Sequence, residues 1–238
     1  MNIFAIGDIH GCLSQLTSLH KKILTSDQFK PKEDLILYLG DYIDRGQKSK
    51  QVIDQIIKLK NNKIKTITLI GNHEELMIDF LFNKKNNVQN WLNFGADQTF
   101  KSYGIEIVEF IKDGFGDDVI NRLRNVFLDK IDSTHIDFFK NLELTFSTEK
   151  YLFVHAGIDP DKDLSKQTKK DYLWSRSNSF FHQDFKAEKI IVHGHTPEEN
   201  VINYPGRINI DNGCYFSGKL SCVCLNDFND KRIFIDNL

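Results

Sequence analysis

The chain is poor in the residues that mark special environments. It has four cysteines in 238 residues, Cys12, Cys214, Cys222 and Cys224, and no two stand in a Cys-x-x-Cys spacing. That argues against a structural zinc knuckle or a disulfide framework. The thiols read as reduced packing residues, since free cysteine behaves as a small buried hydrophobe, and a cytoplasmic location is expected. Cys222 and Cys224 are two apart in a strand-like run and should share one face. Only four prolines occur, and no low-complexity linker or repeat divides the sequence. No apolar run reaches about 18 residues, so no membrane-spanning helix is expected. The short apolar run at the start, with no cationic stretch before it, is too brief for a secretory leader. Neither sign of charge dominates: 31 basic residues face 33 acidic ones, a formal net charge of -2. The chain therefore has no general attraction to nucleic acid or anionic membrane, and an anionic substrate must be held locally.

The remaining composition is ordinary for a globular protein, with 40% apolar and 27% charged residues, and is ample for a sizeable core. One domain spanning 1–238 is expected. Through residue 83 strand-like and helix-like patterns alternate. Strands are expected at 3–6, 34–39 and 66–70. Leu13, Leu16, Leu19, Ile23 and Leu24 recur at helical spacing, as do Val52, Ile53, Ile56, Ile57 and Leu59 behind Ser49, which stands where a helix cap is expected. A third helix is expected from about Glu74. This order implies parallel strands with helical crossovers. In such sheets ligands collect at the carboxyl ends of strands. The pattern weakens over 84–142, where Trp91, Leu92, Phe94, Phe100 and Tyr103 read as packing anchors of a helical insertion beside the site. Strands return at 142–147, 151–154 and 189–192. The segments 208–210, 219–225 and 232–235 read as antiparallel hairpins, with a turn at Asn229-Asp230.

Polar clusters stand where the apolar runs stop. They are Gly7-Asp8-Ile9-His10-Gly11, Gly40-Asp41-Tyr42-Ile43-Asp44-Arg45-Gly46, Gly71-Asn72-His73-Glu74, His155-Ala156-Gly157 and Gly194-His195-Thr196. Any one of them alone reads as a plain turn. Together they supply Asp, His and Asn, the oxygen and imidazole ligands that suit divalent transition metals. Two cations about 3.5–4 Å apart can clamp the attacking and leaving oxygens of a phosphoryl transfer. Asp41 is the natural bridge between them. Asp8 and His10, two apart, would be aimed to one side by a strand-like stretch, and Asn72, His155 and His195 would complete the second metal.

In this order the five clusters resemble the calcineurin-like metallophosphoesterases, and more narrowly the bacterial phosphoprotein phosphatase (PPP) family. The resemblance runs from Gly7 to about Leu225. It implies an α/β fold with mixed sheets, a four-layer αββα sandwich. It also implies that Asp8, His10 and Asp41 hold one metal while Asp41, Asn72, His155 and His195 hold the other. Manganese is the first expectation for both ions, and iron or zinc also suits the ligand set. Pro197 stands where many other metallophosphoesterases carry a further histidine ligand, which favours the PPP branch. His193 matches no motif and is assigned to packing.

Beside two metals, Arg45 reads as a planar fork that grips phosphate oxygens, and Arg176 matches the family's second phosphate-binding arginine. Resemblance marks His73 as the general acid, oriented by Asp44. Asp211 is expected to support the site, Glu74 and Glu75 to begin a helix, and Trp174 to anchor packing. His20, His135 and His182 are expected to be exposed or structural. The implied reaction is direct hydrolysis by a metal-bridging hydroxide, without a phosphoenzyme. The expected substrate is a phosphorylated protein, with serine/threonine phosphatase activity, or a small phosphoester. The alternatives are a symmetrical diadenosine tetraphosphatase and a non-catalytic phosphate-binding module. A monomer without nucleic-acid or membrane partners is expected.

Overall fold

Two five-stranded sheets stack face to face, and each face that leaves the stack is covered by helices. The computed structural model describes residues 1–112, 114–229 and 232–237. The first sheet holds β1 (Ile3–Ile6), β2 (Leu35–Tyr38), β3 (Lys65–Thr68), β9 (Ser221–Leu225) and β10 (Ile233–Asp236) in the order β10-β9-β1-β2-β3. β1, β2 and β3 run parallel, joined by the crossover helices α1 (Leu13–Leu24) and α2 (Ser49–Asn61), while β9 pairs antiparallel with both β1 and β10. The second sheet holds β4 (Phe146–Ser147), β5 (Tyr151–Phe153), β6 (Ile190–His193), β7 (Ile202–Asn203) and β8 (Arg207–Asn209) in the order β4-β5-β6-β8-β7. Its middle strands β5, β6 and β8 are parallel, and β4 and β7 are antiparallel edges.

Strand alternation explains the layering. Ile3, Ala5, Leu35, Leu37, Val223 and Leu225 face inward and pack against Tyr151, Phe153, Val192 and Ile208 of the other sheet. The alternate residues Phe4, Ile6, Ile36, Tyr38, Cys222 and Cys224 face outward onto Leu16, Leu19, Ile23, Val52, Ile53 and Ile56. On the far face of the second sheet Leu152, Val154 and Ile191 pack with Ile158 and Phe180. The result is helix, sheet, sheet, helix. None of the four cysteines is in a disulfide among the described residues, and Cys222 and Cys224 share one face as expected.

Among the described residues, five helices occupy the segment after β3 and its helix α3 (Asn72–Leu81): α4 (Val88–Leu92), α5 (Ala96–Ser102), α6 (Val108–Ile111), α7 (Asp117–Lys130) and α8 (Ser133–Lys140). Trp91, Phe100, Tyr103 and Phe127 stack at their centre, with centroids 5.0–6.4 Å apart. The second sheet's outer face carries α9 (Lys169–Trp174) and α10 (Asn178–Phe181), and α11 (Cys214–Ser217) follows β8.

Several expectations need correction. The segment around 208–210 does not hairpin with 219–225: β8 lies in the second sheet, paired with β6 and with the two-residue β7, a strand not expected from the sequence. Residues 142–145 are not strand, and only Glu143 bridges, to Leu69. Ser49 is the first helical residue rather than the cap, and its hydroxyl accepts the Asp44 N–H at 3.1 Å. The helix expected from Glu74 begins two residues earlier, at Asn72. Of the turn expected at Asn229-Asp230, Asp230 lies outside the described residues.

Candidate metal centre

The loops that follow β1, β2, β3, β5, β6 and β8 converge at one edge of the sandwich. Asp41, at the end of β2, occupies the centre and is buried. Its Oδ2 lies 3.4 Å from His10 Nε2 and 3.8 Å from His73 Nε2, while its Oδ1 lies 3.4 Å from His155 Nε2. One carboxylate thus turns an oxygen toward each of two groups of ligand atoms, His10-Asp41-His73 and Asp41-His155-His195. Asn72 Oδ1 joins the second group, 2.8 Å from His155 Nε2 and 3.0 Å from His195 Nδ1. Asp8 stands beside His195, and its Oδ2 accepts the His195 N–H at 3.0 Å.

These atoms carry more lone pairs than protons. His10 Nδ1 faces the Ile43 carbonyl at 2.8 Å and His155 Nδ1 faces that of Leu39 at 2.9 Å. A carbonyl only accepts, so each Nδ1 carries the hydrogen. Burial lowers both pKa values, which keeps the rings neutral and leaves a bare lone pair on each Nε2. Those lone pairs point at Asp41 and Asn72 oxygens with no proton between them. Two further buried atoms, Asp8 Oδ1 and His195 Nε2, have no hydrogen-bond partner. Burial, then Asp211 and Asp41, push the Asp8 carboxyl well above its usual range, and burial raises Asp211 to about 7. Burial works against the Asp41 charge too, but the surrounding His155, His73 and His10 hold its carboxyl low. Crowded acceptors and strained carboxylates of this kind fit divalent cations.

Backbone strain concentrates at the same place. Among the described residues seven non-glycines have positive φ, and His10, Asp41, Asp44, Arg45 and His195 are five of them. Such conformations cost energy and persist where surrounding contacts enforce them. The backbone at His10 is left-handed, φ 45°, so the strand alternation expected from the Asp8–His10 spacing does not hold there. Gly194 has to lack a side chain, because a Cβ there would run into Asp8 Oδ1.

A second set of side chains lies against the first. His73 Nδ1 is 2.7 Å from Asp44 Oδ2, and its Nε2 faces Arg45 at 3.3 Å. Burial disfavours the imidazolium, but Asp41 and Asp44 outweigh it and raise the His73 pKa above 6.5. Asp44 is fully buried and held in turn by the Trp91 indole N–H at 2.7 Å and the Thr99 hydroxyl at 2.5 Å. The Arg45 N–H bonds to Gly95 O. The helices of 84–142 thus reach the site through Asp44 and Arg45. Arg176 is exposed; its charge acts on His155, His195 and Asp211. Asp211 Oδ1 accepts the Gly213 N–H at 2.8 Å.

Glu74 does not behave as an ordinary first-turn acid. Its buried carboxylate accepts N–H groups from Gly71, Asp41, Tyr42 and Ile43 at 2.8–3.3 Å, clamping two site loops together. Sequence reasoning missed this, as it missed Trp91 and Thr99 as partners of Asp44. Trp174 packs at the rim, donating to Glu75 at 2.7 Å and lying 6.3 Å from the His195 ring. His193 is buried among Phe180, Phe181 and Arg207 and belongs to neither ligand group. His20 and His135 are buried and hydrogen-bonded, and His182 is exposed beside Asp184.

A two-sheet sandwich whose strand-end loops pool buried Asp, His and Asn around one shared carboxylate defines a metal-dependent hydrolase. The chain belongs to the calcineurin-like phosphoesterase family, whose model matches residues 1–234. Its members hydrolyse phosphoesters with divalent metals. The chain is 27% identical to the asymmetrical bis(5'-nucleosyl)-tetraphosphatase PrpE of Anoxybacillus flavithermus, over 92% of this chain and 88% of that one. It is 26% identical to serine/threonine-protein phosphatase 2 of Salmonella typhimurium, over 92% and 91%. A solved protein serine/threonine phosphatase from Saccharomyces cerevisiae shares the fold with a TM-score of 0.54 at 17% identity, covering 99% of this chain and 79% of that one. No helix among the described residues is long and apolar enough to cross a membrane.

Proposed function

We propose that this phosphoesterase transfers a phosphoryl group directly to water at a two-cation site. Asp8, His10 and Asp41 would hold one ion, and Asp41, Asn72, His155 and His195 the other. The observation that carries this reading is Asp41, with one carboxylate oxygen turned to each ligand group. The cations, manganese first among those the ligands suit, supply Lewis acidity that makes water reactive toward phosphorus near neutral pH. Arg45 and Arg176 neutralise the equatorial phosphoryl oxygens, where a planar guanidinium binds two at once. His73 gives its Nε2 proton to the departing oxygen, and Asp44 keeps the other proton on Nδ1. Asp44 is itself fixed from the helical side by Trp91 and Thr99, so the acid cannot swing away. The chain acts in this reading as a cytoplasmic monomer.

The substrate class favoured by the complete Asp44–Arg45–His73 set is phosphoserine or phosphothreonine in proteins. A second reading, hydrolysis of diadenosine tetraphosphate, is favoured by relatives named for it. Those relatives carry the asymmetrical name, whereas the sequence suggested the symmetrical activity as the alternative. A side-by-side assay with Mn2+ decides: a phosphoserine peptide, diadenosine tetraphosphate and p-nitrophenyl phosphate are offered to the same preparation. Efficient turnover of the peptide is expected, and turnover of diadenosine tetraphosphate alone would overturn the protein-phosphatase assignment. A retained configuration at a chiral thiophosphate would overturn direct transfer.

A further inference from the structure

Two aromatic rings stand unburied at the rim of the site. The loop after β8 turns through Gly213 into α11, and there Tyr215 is 42% and Phe216 64% exposed. Neither ring packs into a core cluster among the described residues. They pack on the site instead. The Arg45 guanidinium lies 4.6 Å from the centre of the Tyr215 ring, and the same ring meets the His10 ring edge-on at 5.5 Å. Phe216 continues outward, perpendicular to Tyr215 at 4.9 Å. The Phe216 ring folds over Gly213, where φ is 62° and the missing Cβ leaves room for it. An exposed phenylalanine next to a tyrosine that packs on a phosphate-gripping arginine is a stacking surface beside an anion clamp.

We propose that Tyr215 and Phe216 form a ledge for the purine base of a nucleotide substrate whose 5'-phosphate is gripped by Arg45. This rests on the second reading above and gives it a residue-level basis. Aromatic side chains hold bases by their π-faces, and Arg45 already ties the ledge to the phosphate position. A phosphoserine has only one methylene beyond its ester oxygen, so it brings no ring to that place. A nucleotide places a flat base one ribose away from the phosphate, where the ledge begins.

The test compares AMP with ribose 5-phosphate as competitive inhibitors of p-nitrophenyl phosphate hydrolysis by the Mn2+-loaded protein. The two share a ribose 5-phosphate and differ at C1', where adenine replaces the anomeric hydroxyl, so the ratio of their Ki values reports the ledge against the same phosphate clamp. In the unsubstituted chain AMP is expected to bind roughly 5- to 150-fold tighter, the range that base–aromatic stacking spans. In Phe216→Ala and Tyr215→Leu the ratio falls toward one, and in Phe216→Tyr it is retained. Circular dichroism melting of each variant confirms folding. A ratio of one in the unsubstituted chain, or one that Phe216→Ala and Tyr215→Leu both leave unchanged, would overturn the ledge. A large, ring-dependent ratio with no turnover of diadenosine tetraphosphate would uphold the ledge and remove the dinucleoside-polyphosphate reading.

Discussion

Replacing His73 with Asn tests the acid assignment and gives a result that depends on the leaving group. The imidazole is oriented from one end, with Nδ1 2.7 Å from Asp44 Oδ2, while Nε2 lies 3.3 Å from Arg45 Nη2, a donor that does not hold the proton there. His73→Asn keeps a polar side chain but removes the transferable proton. General acid catalysis contributes about 10²–10⁴ in rate, so the barrier for a phosphoserine peptide should rise by about 3–5 kcal/mol. A serine alkoxide needs that proton; p-nitrophenolate leaves largely without it, and its kcat should fall far less. Asp44→Asn supplies the intermediate case. Asp44 accepts from His73, Trp91 and Thr99 at once, and an amide has only one acceptor oxygen for three donors. Losing one charge-assisted hydrogen bond costs about 1.5–3 kcal/mol, or roughly 10- to 150-fold in kcat. The sign of the accompanying pH effect follows from the raised pKa of His73, to which Asp44 contributes. The acid works only while protonated, so removing the Asp44 charge lowers its pKa and moves the alkaline limb of kcat to lower pH. Steady-state kinetics over pH with both substrates is the assay. Equal losses on the peptide and on p-nitrophenyl phosphate, or an alkaline limb that stays put in Asp44→Asn, would refute the assignment.

Three further outcomes are expected. Glu74→Ala leaves buried N–H groups of Asp41, Tyr42 and Gly71 without their acceptor; urea unfolding of the metal-free protein should show a loss of about 3 kcal/mol or more. Gly194→Ala drives a methyl into Asp8 Oδ1 and should raise the apparent Mn2+ Kd at least about tenfold, as disturbing a ligand's surroundings does, measured by titration calorimetry. His20 is buried between Tyr38 and Gln55, and burial lowers its pKa from 6.5 to about 4. Between those pH values the unfolded chain takes up a proton that the folded chain refuses, so stability falls as pH drops, by about 3 kcal/mol in all. His20→Gln should flatten that part of the urea-unfolding profile, and an unchanged slope would exclude His20 as its source.

What could be read from the sequence follows what is local. The runs at Ile3–Ile6 and around Leu35–Tyr38 are short, apolar and followed by a glycine, so strand, crossover and strand-end loop were legible together. Placing the loops of Asp8, His10, Asp41, Asn72, His155 and His195 at one edge followed from parallel connectivity; there Asp41 lies against His10, His155 and His195, Asn72 against His155, and Asp8 accepts the His195 backbone N–H. What escaped depends on tertiary context. Trp91 reads as core because its indole is large, and nothing nearby in sequence reveals that its N–H ends on Asp44, 47 positions away. Glu74 looks like a first-turn acid until its carboxylate is seen reaching back to the β2 loop. The left-handed turns at His10 and Asp41 oppose local preference and are imposed by the neighbouring loops. β7 has two residues and is defined only by its partner β8.

Anomalous diffraction from crystals soaked in Mn2+ tests the central claim most directly. Two peaks are expected per chain, about 3.5–4 Å apart, with an Asp41 oxygen on each and Asp8 and His10 dividing from Asn72, His155 and His195. One ion alone in an active crystal, or two ions that do not share Asp41, would contradict it.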